Sequence, residues 1–587
     1  MLSLSKHFYR HSKYDYWHDR DASTLLSITF FVEFPILQSM KRFLSLAIAL
    51  LLSATARAQT PLTIPKPVAA ALEQVQPEAI KAHIVYLADD RLLGRKAGTP
   101  GYQLAVDYVT EQLKMLGVQP AGEAGTFIQK VRLRRAFLAP GATFVARERQ
   151  GTSLALVAGQ DYVLYPSPEL PATRVVDAPL AFAGFGISAP ELGYDDYAGL
   201  DVKGKVVMIV RGAPRTFAPT VASASQDLAG LLKTATNHGA VGLLLASTHV
   251  GALPGLKNGT YSVLGNDGKI VVSRTFAPGS RQQLYGAVSA GTLQRFLQTA
   301  GLDTAQVFAA MRSGKPASKG LKTIISATAQ STYEDIESYN VVGKVVGSDA
   351  KLRDEYVVHS AHLDHLGVGA PVLGDSIYNG AHDNASGVAC VLEIAKIYSQ
   401  LKEKPKRTIL FAFMTGEELG LLGSSAFTAY PTVPKDEIVA DINMDMPTLI
   451  APLLSVVALG APHSTLLKPV QRACAYMNIT LENDPEPEQN RFIRSDQYSF
   501  VTAGIPALHL KYGNKTADGR NNLSEEVQKW RAVTYHKPQD DINGRFDFEA
   551  GKKYVQLCFL VGYQVAQEPT RPRWNKGDFF GQRYGRR

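Results

Sequence analysis

Short, almost unbroken apolar runs alternate with longer stretches of helical period through the second half of the chain. Segments 355–362, 408–415, 438–445, 454–459 and 506–510 are too short and too continuously apolar for amphipathic helices, and predict buried strands. Segments 386–401, 464–477 and 546–567 repeat apolar residues at helical spacing and predict helices. Strands apolar on both faces, separated by helices, predict an α/β fold: a mostly parallel mixed sheet with helices on both faces.

The first half reads differently. After a Pro-rich stretch at 60–68, segments 77–88 and 102–116 predict amphipathic helices around a Gly-rich turn at 93–101, and 127–164 reads as short strands. Residues 170–325 have their own strand and helix alternation (179–184, 205–210, 228–238 and 241–245), without a concentrated set of metal-ligand residues. With 587 residues, 45% hydrophobic and 20% charged, the chain is a folded protein of two or three compact units. The expected division is a main domain at 66–170 and 326–567, an inserted β-rich domain at 171–325, and a basic tail at 568–587.

The candidate chemistry lies where the predicted strands end. In open α/β sheets, residues far apart in sequence converge at the carboxyl ends of parallel strands. His362 ends the first such strand, with Asp364 two residues on, on the same side of an extended backbone. Asp383 precedes a helix, where its plain role would be an N-cap. Glu417 and Glu418 leave the next strand side by side, a costly arrangement unless a cation or proton compensates it. Asp445 ends the following strand, and His536 lies among turn residues near Asp540 and Asp541. Two histidines and three carboxylates (His362, Asp383, Glu418, Asp445, His536) suit a pair of zinc ions. His509 lies inside an apolar run and reads as a packed core histidine, and His359 shares a side of its strand with nothing reactive, so neither joins the set.

Charge and targeting narrow the setting. The net charge of +9 is scattered except in the last seventeen residues, which is no nucleic-acid footprint. Met40 opens a leader: Lys41 and Arg42, the apolar run 43–52, then Ala56-Arg57-Ala58, placing the mature start at Gln59 and reading residues 1–39 as a mis-set start. No Cys follows the cleavage point, so a periplasmic or secreted protein without a membrane span after leader removal is expected. Cys390, Cys474 and Cys558 lie in apolar stretches and read as buried thiols rather than a disulfide framework.

At its motifs the chain resembles the M28 family of zinc metallopeptidases, which includes bacterial double-zinc aminopeptidases and glutamate carboxypeptidase. The resemblance rests on Ser360-Ala361-His362-Leu363-Asp364-His365, Asp383-Asn384-Ala385-Ser386-Gly387, Gly416-Glu417-Glu418-Leu419-Gly420, Asn443-Met444-Asp445-Met446, Arg494-Ser495-Asp496 and Tyr535-His536-Lys537-Pro538. It extends to Gly94-Arg95-Lys96-Ala97-Gly98, while Tyr194-Asp195-Asp196-Tyr197 with Lys203-Gly204-Lys205 resembles an inserted protease-associated domain. It implies a zinc exopeptidase fold and two zinc ions on His362, Asp383, Glu418, Asp445 and His536, with Asp383 as the bridge. It further implies Glu417 as general base toward a metal-bridging water, Asp364 as the orienter of His362, Tyr535 as oxyanion donor, and Arg494 and Asp496 at the substrate. Gln497 departs from the family, many members of which carry His there.

Three functions follow as expectations. The first is an exported aminopeptidase acting on peptides. The second is a carboxypeptidase or dipeptidase using Arg491 or Arg494 for a substrate carboxylate, and the third a non-catalytic binding protein on the same fold. The insertion is expected to act as a lid over the cleft rather than as a partner-binding module.

Overall fold

The computed structural model describes residues 61–149, 151–249, 253 and 259–585; the leader, its cleavage point and residues 1–39 lie outside the described residues. Residues Pro61–Arg587 form one compact unit.

Four parallel strands make its centre, in the spatial order Thr408–Met414, Tyr356–His362, Ile438–Asn443 and Ala507–Tyr512. Antiparallel strands flank them. Lys319–Val345 pairs with Thr408–Met414, Val341 opposite Phe413, and Ser455–Leu459 pairs with Ala507–Tyr512. The expected mostly parallel mixed sheet is what forms.

The strand Thr408–Met414 shows why such a run is apolar throughout. Successive side chains point to opposite faces, so Ile409, Phe411 and Phe413 enter one core while Leu410, Ala412 and Met414 enter another. The first core lies under the helices Pro77–Leu87, Pro100–Met115, Ser386–Gln400 and Phe548–Gln567; the second lies under Leu422–Ala429, Gln497–Thr502 and Phe579–Tyr584. Each fully buried large side chain contributes about 1.5–3 kcal/mol, which compensates for ordering a strand with no polar face.

A second set of strands has its own core. Ala172–Phe182, Val206–Val210, Gly242–Ala246 and Leu284–Val288 run parallel, with Tyr162–Leu164 antiparallel beyond them. Their core includes Phe182, Met208, Leu244 and Phe296. The 27-residue strand Lys319–Val345 belongs to both sets: Ala327 faces Phe144 and Val175, and Ile336 faces Leu133. Thr143–Glu148 and Tyr162–Leu164 pair with the second set, whereas Thr260–Leu264 pairs with Ile128–Leu138 of the first. The pairing therefore crosses the expected limits of the insertion.

Arg95 ties the amino-terminal segment to the strand ends. Its buried guanidinium donates to the carbonyls of Leu363 (3.1 Å), Leu87 (2.5 Å), Asn379 and Gly380 (3.1 Å). Burial pulls it down to about 10, with Asp364 opposing. A Cβ on Gly94 (φ +66°) would lie 2.4 Å from the Tyr378 carbonyl oxygen, so only glycine lets this turn reach the sheet. Cys390, Cys474 and Cys558 are free and buried, as expected.

Candidate metal centre

Three parallel strands end in candidate residues or lead directly into them: His362 closes Tyr356–His362, Glu417 and Glu418 follow Thr408–Met414, and Asp445 follows Ile438–Asn443. The structure brings four of the expected ligands around the fifth, Asp383. His362 Nε2 lies 3.3 Å from Asp383 Oδ1 and 3.6 Å from Asp445 Oδ1. His536 Nε2 lies 3.3 Å from both Asp383 Oδ2 and Glu418 Oε2.

Asp383 is held by its backbone. It does not cap the helix Ser386–Gln400, which has no side-chain cap from Ala385; Asn384 Oδ1 accepts instead from Gly387 N–H (3.0 Å) and Met446 N–H (3.0 Å). The carboxylate of Asp540 accepts the N–H groups of His382 and Asp383, each at 3.0 Å. The Asp383–Asn384 peptide is cis. Asp445 is held similarly, since its carbonyl accepts from Lys511 Nζ and His509 Nε2, both at 2.8 Å.

His362 is oriented differently from expectation. Its Nδ1 lies 4.0 Å from the Asp364 carboxylate but 3.1 Å from the Asp364 backbone carbonyl. A carbonyl only accepts, so Nδ1 carries a proton and Nε2 is the ring atom turned toward Asp383 and Asp445, free to give up its own proton in exchange for a cation. The Asp364 carboxylate accepts the Glu417 N–H instead, at 3.1 Å.

The electrostatics are those of a site built for cations. Burial pushes His362 down, but Glu417, Asp383 and Asp445 outweigh it and hold it well above the usual histidine range. Burial pushes Asp383 up, but His362 and His536 bring it well below the usual carboxylate range. Glu417 is raised well above that range by burial and by Glu418 and Asp445, and Asp364 rises to about 7 by burial.

A cavity of about 50 Å³ is lined by Asp383, Glu417, Asp445, Tyr535, His536, Arg494 and Arg531, among others. Asp496, expected at the substrate, is not among the lining residues; it is fully buried and raised to about 6 by that burial. Gln497 is buried too, its Oε1 accepting from Asn443 Nδ2 at 2.8 Å. Arg491, a carboxylate-clamp candidate, is engaged by Asp484 and Glu486. A larger cavity of about 1120 Å³, lined partly by Lys203, Arg274 and Tyr498, contains none of the candidate ligands.

The donor set fits divalent metal. Donor atoms of His362, Asp383 and Asp445 lie within 4.8 Å of one another, as do those of His365, Asp383 and Glu418. The Glu418 Oε1 atom and both ring nitrogens of His365 are buried without a hydrogen bond, a state that a cation would relieve. Sequence reasoning missed His365, Asp540, Lys511 and Arg531. His365 carried a clue, lying next to Asp364 in a histidine-rich motif, and Asp540 stood out only as an acidic neighbour of His536.

Residues 340–557 match the family model of peptidase family M28. Carboxypeptidase Q of Xenopus laevis is 29% identical over 196 residues, 33% of this chain and 38% of its own length. Leupeptin-inactivating enzyme 1 of Streptomyces exfoliatus is 25% identical over 258 residues, 41% of this chain and 52% of its own. The chain thus spans about half or less of these curated relatives. An aminopeptidase from Aneurinibacillus sp. strain AM-1 is a similar solved structure, with a TM-score of 0.47 at 18% identity, covering 86% of this chain and 97% of that one. The segment that matches peptidase family M28 is thus the one that carries the strand-end histidines and carboxylates gathered around Asp383.

Proposed function

We propose that this protein is an exported zinc-dependent aminopeptidase that releases N-terminal residues from peptides. The observation that carries the reading is the position of Asp383, one oxygen toward His362 and the other toward His536. One carboxylate so shared suits two ions, the first with His362 and Asp445, the second with Glu418 and His536. When bound, zinc would supply Lewis-acid polarisation of the scissile carbonyl and activation of the attacking water.

The chain's own residues do the rest. Glu417 lines the cavity with its proton affinity raised by burial and by neighbouring carboxylates. It accepts the proton of the attacking water and hands it to the leaving amine. The Tyr535 hydroxyl, kept protonated by burial and by Asp383, donates to the oxyanion. Glu417 and Asp445 receive the substrate ammonium through charge-assisted hydrogen bonds.

A second reading is favoured by Arg494 and Arg531, which line the same cavity, and by the resemblance to carboxypeptidase Q. Here the two guanidinium groups hold a substrate carboxylate. Blocked peptides separate the readings: an aminopeptidase loses nearly all activity when the N-terminus is acetylated and tolerates C-terminal amidation. The reverse pattern would replace the first reading with the second.

Export rests on the leader read from Met40. Among the described residues no helix is long and apolar enough to cross a membrane. Expression from Met40 should give an exported protein beginning at Gln59, whereas peptides from residues 1–39 in the mature product would overturn that start. The second set of strands is the candidate protease-associated insertion, and its proposed role is to limit access to short peptides.

A further inference from the structure

We propose that His365 is a fourth protein donor to the second metal, alongside Asp383, Glu418 and His536. The inference rests on the two-metal reading above and adds to it a ligand outside the five expected. His365 is 1% exposed, so its ring nitrogens have no water to pair with. Its Nδ1 stands 2.7 Å from Glu418 Oε1, yet neither atom makes a hydrogen bond, because the contact lacks the alignment that one requires. Two buried, unpaired polar atoms this close are costly unless something between or beside them compensates. Donor atoms of His365, Asp383 and Glu418 converge within 4.8 Å, and His536 Nε2 is 3.3 Å from both carboxylates on their other oxygens.

The ring is fixed in that position. The His365 N–H donates to the Arg95 carbonyl at 3.1 Å, and the ring lies against Gly380, where a Cβ would come within 2.6 Å of its Cγ and Cδ2. Adding His365 divides the centre into two unlike halves. The second ion gains four protein ligands, the closed set typical of a firmly held zinc. The first, on His362, Asp383 and Asp445, keeps three and an open position for substrate.

The test is zinc affinity, read by competition with a chromophoric chelator on the full mature chain. Wild type should bind two ions, one tightly. His365→Phe and His365→Gln should both weaken that tight ion by more than the roughly 10- to 100-fold expected when only an orienting partner is lost, with melting in chelator unchanged. A loss within that range, or rescue by Gln, would make His365 a positioning residue and overturn the proposal. Equal affinities in all three proteins would do the same. Should a variant fail to fold, ¹⁵N-histidine NMR of wild type decides: zinc must shift ring nitrogens of three histidines, and a shift of only two refutes the assignment. Wild type binding fewer than two ions would instead remove the two-metal reading itself.

Discussion

The carboxylate of Asp364 accepts the backbone N–H of Glu417 at 3.1 Å. It therefore fixes the loop that carries the proposed base, while the Asp364 carbonyl orients His362. Asp364→Ala should keep zinc content near that of wild type and lower turnover about 10- to 100-fold, the usual cost of losing an outer-shell partner. Asp364→Asn retains an acceptor oxygen and should recover most of that loss. Zinc analysis beside steady-state kinetics checks both.

Adjacent glutamates should separate by phenotype. Glu417→Gln should leave zinc content near normal and cut turnover by about 10² to 10⁴, the usual contribution of a general base. Glu418→Ala should lose metal instead. Reversed phenotypes would exchange the two roles.

Metal removal should be visible in stability as well as in activity. Ligand binding to the native state alone adds about 4 kcal/mol at a thousandfold excess over Kd. Chelation should thus lower the melting temperature and abolish hydrolysis, and zinc should restore both. A stoichiometry of two per chain is expected, and one ion with full activity would contradict the shared role of Asp383.

His359 should make the fold acid-sensitive. It is fully buried, without a hydrogen bond on either ring nitrogen, and burial lowers it to about 3. The folded state thus binds its proton less well than the unfolded chain, whose histidine titrates near ~6.5. Stability is full above that pH and declines as the solution is acidified toward 3, by about 1.4 kcal/mol for each step of one in pH. His359→Leu should flatten this decline in urea denaturation of the chelated protein between pH 7 and 4. An unchanged slope would assign the acid sensitivity to other groups.

Much of the main sheet was legible because burial on both faces leaves one signature, an unbroken apolar run. All four central strands were predicted, with ends displaced by no more than a few residues. The strand Lys319–Val345 escaped because half of it, through Thr328, Gln330 and Glu334, alternates with exposed polar residues and carries no continuous apolar stripe. The helix Leu523–Thr534 escaped because its buried side is only Leu523, Val527 and Thr534. At the site, His362, Glu418 and Asp445 are placed by apolar strands and Asp383 by the turn into an apolar helix, whereas His536 sits in a turn after the largely polar helix Leu523–Thr534. Arg531 and Asp540 could not be read in the same way: a lone Arg or Asp in a polar stretch has no periodic context, and only packing brings it to the cavity or to the amide of Asp383.

The long strand also governs how the chain folds. Its pairing of Val341 with Ile128 closes a loop of roughly 200 residues, a cost that grows only with the logarithm of length, about 0.6 kcal/mol per doubling. Equilibrium stability is therefore little affected by the intervening segment, but the rate is: contacts this distant in sequence form late. The intervening block has its own core and can collapse first, leaving Lys319–Val345 with one end already registered. Registered at that end, the strand would pair onward from residue 331 toward 345, so that the antiparallel partner of Thr408–Met414 would arrive preordered and the strand ends that carry the candidate ligands would assemble late.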